Sequence, residues 1–142
     1  MRLWHYKLIP LLPNAQLKAM RYEIGDMVKQ YPNIKNRLVS YANDYEAYTL
    51  WSYFEDVLEE FDKRNIKHNS QYDNKIKKIV LNKTKNPLDL YNWYKFNEHN
   101  DRYLKQCYFN LQEKYDRGII SEKEWQKIYC KYKFELLGGI ND

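Results

Sequence analysis

The chain is poor in the residues that build turns, crosslinks and metal centres: its 142 residues include only four glycines, four prolines and two cysteines. So few turn formers argue against a β-sandwich or barrel, which needs frequent tight reversals. Cys107 and Cys130 have no CxxC spacing and no histidine cluster beside them. A zinc site needs three or four converging ligands, so no metal is expected. Both cysteines read as small buried residues in a reduced compartment. No apolar run reaches about 18 residues, which argues against a membrane span. Polar and proline breaks near the N-terminus are unlike a signal peptide. The expectation is a cytoplasmic monomer that needs no cofactor.

Charge is plentiful by comparison. The net charge is +5 and the isoelectric point about 9.0, a weak pointer to a polyanionic partner such as nucleic acid. The excess is concentrated between Asp62 and Lys85. There Lys63, Arg64, Lys67, Lys75, Lys77, Lys78, Lys83 and Lys85 face only Asp62 and Asp73. This run reads either as a DNA-binding face or as a solvated one. Fifteen tyrosines and abundant lysine, asparagine and isoleucine also fit a gene rich in A and T.

The apolar spacing is helical almost throughout, and the length suits one compact all-α domain over 1–142 with an extended N-terminal arm. In an extended N-terminal arm over residues 1–13, Pro10 and Pro13 are expected to hold Leu8 to Leu12 extended, and Asn14 reads as the N-cap of a helix over 14–30. Leu17, Met20, Ile24 and Met27 give that helix its buried stripe, and Gly25 within it allows another backbone or a ligand to come close. A second helix is expected from Asn43, with Glu46 as its capping-box partner and Tyr48, Trp51, Phe54, Leu58 and Phe61 facing inward. Tyr72 to Leu81 reads as a basic helix, and Asn86-Pro87 as a cap with proline at the first helical position. A long helix from Asn100 buries Leu104, Cys107 or Tyr108, Leu111 and Tyr115 and stops near Gly118. Ser121 and Glu124 form a capping box for the last helix, which turns Trp125, Ile128, Tyr129 and Tyr132 inward and ends at Gly138-Gly139. His99 reads as part of a helix cap. Trp93, Tyr94 and Phe96 read as core aromatics or, alternatively, as base-stacking groups.

The N-terminal module is where chemistry is concentrated. Met1-Arg2-Leu3-Trp4-His5 combines an α-amine and a cation, and the helix that follows carries Glu23. An α-amine titrates near ~7.7–8.0 against ~10.4 for lysine, so an appreciable fraction is a neutral nucleophile at physiological pH. At about 100° per residue, Glu23 and Gln16 fall on one shoulder of the buried face, and Arg21 lies about 160° away from Glu23 on the other. Glu23 and Gln16 are thereby placed to look into a cleft beside the core. Spacing alone also allows Glu23 to be an ordinary surface carboxylate, and His5 to be either a DNA contact or a hydrogen-bonded arm residue.

These residues carry a resemblance. The arm Met1-Arg2-Leu3-Trp4-His5, then Leu8, Ile9, Pro10, Leu12, Pro13, Gln16, Leu17 and Glu23, resembles the opening of the pyrimidine dimer DNA glycosylase family, the endonuclease V-type group of phage and bacterial proteins. A looser similarity continues through residues 43–65, and His99 to Lys114 is similar to the family's later helix. The resemblance implies an all-α fold that acts on double-stranded DNA, cleaving the glycosidic bond at a pyrimidine dimer and then the strand at the abasic sugar. It assigns the nucleophile to the Met1 amine and the helical carboxylate to Glu23. DNA contacts are expected from Arg2, His5, Gln16, Arg21, Tyr22, Lys75, Lys77 and Lys78. Tyr22 stands where the family carries an arginine beside the glutamate, and Asp26 where a second arginine is expected. Two other classes fit the composition: a non-catalytic nucleic-acid-binding protein of the same fold, and a helical protein–protein adaptor joined through its tyrosine stripes.

Overall fold

A computed structural model describes residues 2–136. The expected nucleophile, Met1, and the expected helix end at Gly138-Gly139 lie outside the described residues. Within them the chain forms helices α1 (Asn14–Gln30), α2 (Ala47–Lys63), α3 (Ser70–Asn82), α4 (Asp101–Asp116) and α5 (Glu122–Leu136), with 3₁₀ turns at Tyr6–Leu11, Ser40–Asp44 and Pro87–Tyr91. No strand occurs among the described residues; the fold is all-α.

The centre is α2. Leu50, Trp51, Tyr53, Phe54, Val57 and Phe61 are all buried, and Thr49 and Ser52 go inside with them. A helix apolar on most sides belongs in the middle of a fold. The single stripe read from its spacing understates this, because Tyr53 and Val57 are fully buried while Tyr48 and Leu58 are only half-buried. Helix α1 packs along α2, and α3 lies against both. Helices α4 and α5 form a hairpin, and the Tyr6–Leu11 turn contacts α2 and α5.

Helix ends show where local signals hold and where tertiary partners override them. Ser121 and Glu124 exchange both capping-box hydrogen bonds, each at 3.2 Å. Asn100 caps α4 by accepting from the Tyr103 N–H at 3.0 Å. Asn86 caps as expected, but only a five-residue 3₁₀ turn follows. Asn14 does not cap α1. Pro13 takes that position, and Asn14 Oδ1 accepts from Arg64 at 2.9 Å instead. Asn43 does not open α2 either. Its amide accepts from the Ile34 N–H at 2.9 Å and donates to the Ile34 carbonyl at 2.8 Å, so the helix begins only at Ala47. At the other end of α1, Lys83 donates to the carbonyls of Val28 (2.8 Å) and Tyr31 (2.6 Å), satisfying acceptors that a helix end leaves open.

The arm is not extended over Leu8 to Leu12 as expected: Tyr6–Leu11 is a 3₁₀ turn, whose φ the ring of Pro10 fits. Before it, residues 2–5 form no regular element, yet Leu3, Trp4 and His5 are buried. The arm's backbone polar groups therefore need partners from elsewhere. Tyr103 Oη donates to the Leu3 carbonyl at 2.6 Å. The Arg64 guanidinium donates to the carbonyls of Leu12 (2.6 Å), Pro10 (3.1 Å) and Ile9 (3.3 Å). His5 Nδ1 accepts from the Lys7 N–H at 3.1 Å, which leaves the other ring nitrogen to donate to the His99 carbonyl. His99 is not part of the cap. It is buried against His5, with ring centroids 5.7 Å apart, and its Nε2 pairs with Tyr41 Oη at 2.7 Å. Cys107 is buried as expected, whereas Cys130 is exposed on α5.

Across α1 from Glu23, Arg21 is buried in an ion pair with Asp73 of α3 at 2.8–2.9 Å and donates to the Asn69 carbonyl at 3.1 Å. His68 bonds Asp73 as well, and reaches Asp62 at 2.9 Å. Removing one member of a buried pair leaves the other charge unsatisfied, at a cost of about 3–5 kcal/mol. Asp73→Ala should therefore lower unfolding free energy by about that amount in denaturant titrations.

The histidines set a pH dependence. Burial lowers the pKa of His5 to about 4 and of His99 to about 3. Each stays neutral in the native state while the unfolded chain protonates near 6.5. Their contribution is complete above pH 6.5 and declines as pH falls towards the folded values, by ~1.4 kcal/mol per unit per histidine. His68 acts oppositely: burial disfavours its charge, but the hydrogen bonds to Asp62 and Asp73 outweigh it and raise the pKa. Stability measured from pH 6.5 down to 5 should fall, and His99→Gln should reduce that slope. The His68 contribution is in place below pH 6.5 and is lost as pH rises through its raised folded value, so His68→Gln should remove that loss above pH 6.5.

Candidate active site

One face of α1 carries Ala15, Gln16, Ala19 and Glu23, spaced so that all four look the same way. Opposite them α4 presents Asn110, Glu113 and Lys114, with Arg117 at its C-terminal cap. Arg2 and Trp4 of the arm close one end, and Leu38 adds an apolar edge. Together they line a cavity of about 410 Å³. The Arg2 guanidinium lies 5.6 Å from the Trp4 ring centre, a cation–π contact that holds the side chain without spending its charge. The small alanines leave the α1 wall low beside Glu23.

The charges are mixed and unevenly solvated. Arg2, Lys114 and Arg117 supply three cations, and Glu23 and Glu113 two carboxylates. Glu113 and Arg117 are both well exposed and 3.7 Å apart, a loose pair. Glu23 is half-buried. Burial raises its pKa above 4.5, and a backbone hydrogen bond from Arg2 and that residue's charge only partly oppose this. Gln16 Oε1 is buried with no hydrogen-bond partner among the described residues. A carboxyl group with its proton affinity raised, beside cations, can exchange protons with a ligand.

The structure thus brings together Arg2, Gln16 and Glu23 and separates the rest of the expected set. Arg21 and His5 are buried, 3% and 1% exposed, with their polar atoms committed to internal partners, and cannot reach DNA. Tyr22 is exposed but lies outside the cavity lining. Lys75, Lys77 and Lys78 are exposed on α3 and do not line the cavity; Lys77 lies over the Trp51 ring at 5.9 Å. Arg64 and Lys83 of the same basic run are turned inward as backbone donors. Phe96 is core, while Trp93 is partly exposed and donates to Asp56 at 2.9 Å. The α4 wall was missed. Its signal was the i, i+3, i+4, i+7 spacing of Asn110, Glu113, Lys114 and Arg117, which marks one polar face.

An all-α fold with its N-terminal arm folded against a helical glutamate, over a cavity lined by both cations and carboxylates, places the chain among small helical proteins with a mixed-charge cleft. Residues 1–74 match the family described as pyrimidine dimer DNA glycosylase, and the chain belongs to that family. No curated protein and no solved structure matches it. Membership supports a DNA-repair glycosylase role with DNA as the partner. The matched stretch contains the arm and the α1 wall, and the α4 wall lies beyond it. Among the described residues no three His, Cys, Asp or Glu side chains cluster to hold a metal, and no helix is long and apolar enough to cross a membrane.

The raised pKa of Glu23 has a stability consequence of definite sign. The folded state disfavours its carboxylate, so its contribution is greatest below pH 4.5 and is lost as pH rises through the folded value. Glu23→Gln removes the penalty. Thermal melts should show the variant more stable than the parent at pH 7, with the difference gone near pH 4.

Proposed function

We propose that the protein is a DNA glycosylase with abasic-site lyase activity on damaged duplex DNA such as pyrimidine dimers, with the Met1 α-amine as nucleophile and Glu23 as the proton-transfer group. The observation that carries this is the half-buried Glu23 carboxyl, pKa raised, lining one cavity with Arg2, the residue covalently joined to Met1. In this reading the neutral amine attacks C1′ of the deoxyribose. The bond from C1′ to the base nitrogen breaks, and the base leaves with the electron pair and takes a proton. Glu23 in its acid form protonates O4′ as the C1′–O4′ bond opens, giving an iminium between C1′ and the amine. The carboxylate then removes a C2′ proton, and the C3′–O bond breaks with the phosphate leaving as an anion. Water hydrolyses the remaining imine and frees the amine.

Phosphate contacts are assigned to Arg2, Lys114 and Arg117, which line the cavity. They replace Arg21 and His5 in that role. The exposed lysines of α3 contribute to the longer-range field that attracts DNA and make binding salt-sensitive. The sugar carbon is reached by moving the damaged nucleotide out of the stack.

Borohydride reduction in the presence of abasic-site or dimer-containing duplex tests the scheme by trapping the iminium. A covalent adduct is expected with the parent, absent when the α-amine is blocked. Glu23→Gln should slow strand cleavage by about 100-fold or more. Salt-sensitive binding without any adduct would instead identify a non-catalytic DNA-binding protein of the same fold.

A further inference from the structure

Tyr22 follows Arg21 and precedes Glu23, yet it belongs to neither the core nor the cavity. It is 55% exposed, on the solvent side of α1. An exposed tyrosine is ordinary. What sets this one apart is the support behind it. The Tyr72 ring of α3 lies 5.3 Å from it, tilted by 54°. The Arg21 guanidinium lies 5.1 Å from the Tyr22 ring centre and 4.7 Å from that of Tyr72. Arg21 is itself held by Asp73 and the Asn69 carbonyl. Gly25, one turn along α1, is what lets Tyr72 sit there: a Cβ at that position would run into the Tyr72 hydroxyl and come within 3.0 Å of Cζ.

We propose that Tyr22 is a stacking platform for a nucleobase that loses its partner when the sugar enters the Glu23 cavity. This deepens the reading of that cavity as a DNA site and rests on it. The chemistry favours a base over other ligands. The ring is flat, exposed and backed by a buried guanidinium. Lys18 and Lys29 are exposed on the same side of α1, with Lys29 Nζ 5.4 Å from the Tyr72 ring centre. A π-face with cations beside it suits a base attached to a phosphate backbone, and stacking of this kind tolerates any base. Tyr22 and Glu23 are neighbours on one helix, about 100° apart around its axis, so the acid serves the cavity and the ring serves the outer face. Tyr22 is a positioning residue for the reaction and does not touch the reacting atoms.

The test uses the full chain and a duplex carrying a tetrahydrofuran abasic analogue, with 2-aminopurine placed in turn opposite the analogue and on either side of it. The parent should quench 2-aminopurine fluorescence at one of these positions. Tyr22→Ala should abolish that quenching and weaken binding by about 5- to 150-fold, whereas Tyr22→Phe should keep both. Thermal melts of each variant serve as the check that it folds. Quenching by the alanine variant equal to the parent's, or by the parent at no position, overturns the platform. Borohydride trapping on natural abasic DNA separates the two readings. A trapped adduct with no Tyr22-dependent quenching removes the platform alone. Tyr22-dependent quenching with no adduct leaves the platform and removes the lyase.

Discussion

A buried arm that forms neither an α-helix nor a strand must borrow hydrogen-bond partners, and the structure depends on how it does so. Main-chain carbonyls cannot be left dry without cost. Side chains from distant parts of the chain supply donors, Arg64 for the carbonyls of Leu12, Pro10 and Ile9 and Tyr103 for that of Leu3, while within the arm the Leu8 N–H serves the His5 carbonyl. A guanidinium is well suited to this task, since its planar fork can serve several acceptors and stays protonated at all relevant pH values. With the arm held in this way, Arg2 and Trp4 reach α1 and close the cavity around Glu23.

The two sides of α1 then perform different tasks. One side, with Ala15, Gln16, Ala19 and Glu23, stays open because the arm and α4 approach without filling the space. The other is closed by α3, whose Asp73 neutralises Arg21 and whose Tyr72 fits over Gly25. The open side keeps an under-solvated carboxyl, a state that lowers stability at neutral pH. The closed side carries the buried ion pair.

Much of this was legible in the chain, for identifiable reasons. Helix positions followed from local signals that need no partner, such as the Ser121–Glu124 box and the Asn100 cap. The placement of Glu23 and Gln16 on one shoulder of α1 followed from periodicity, and so did the separation of Arg21 from Glu23. Periodicity could not say what each shoulder meets. Arg21 looked like a surface cation because its partner, Asp73, is 52 residues away and read as a stray acid in a basic run. Arg64 and Lys83 counted as DNA-facing charge for the same reason, although both are turned onto backbone carbonyls. Asn43 carries a capping residue's chemistry but spends it on Ile34. The α4 wall had a visible polar face, but only the folded hairpin brings it opposite Glu23.

The order of the arm's anchors along the chain has a consequence for synthesis. The arm leaves the ribosome before every group that holds it: first Arg64 must emerge, then His99, then Tyr103. Until α4 has been made, Leu3 has no donor and the far wall of the cavity does not exist. The arm is therefore among the last segments to settle. The cavity beside Glu23 is likewise completed only after α4 has been made.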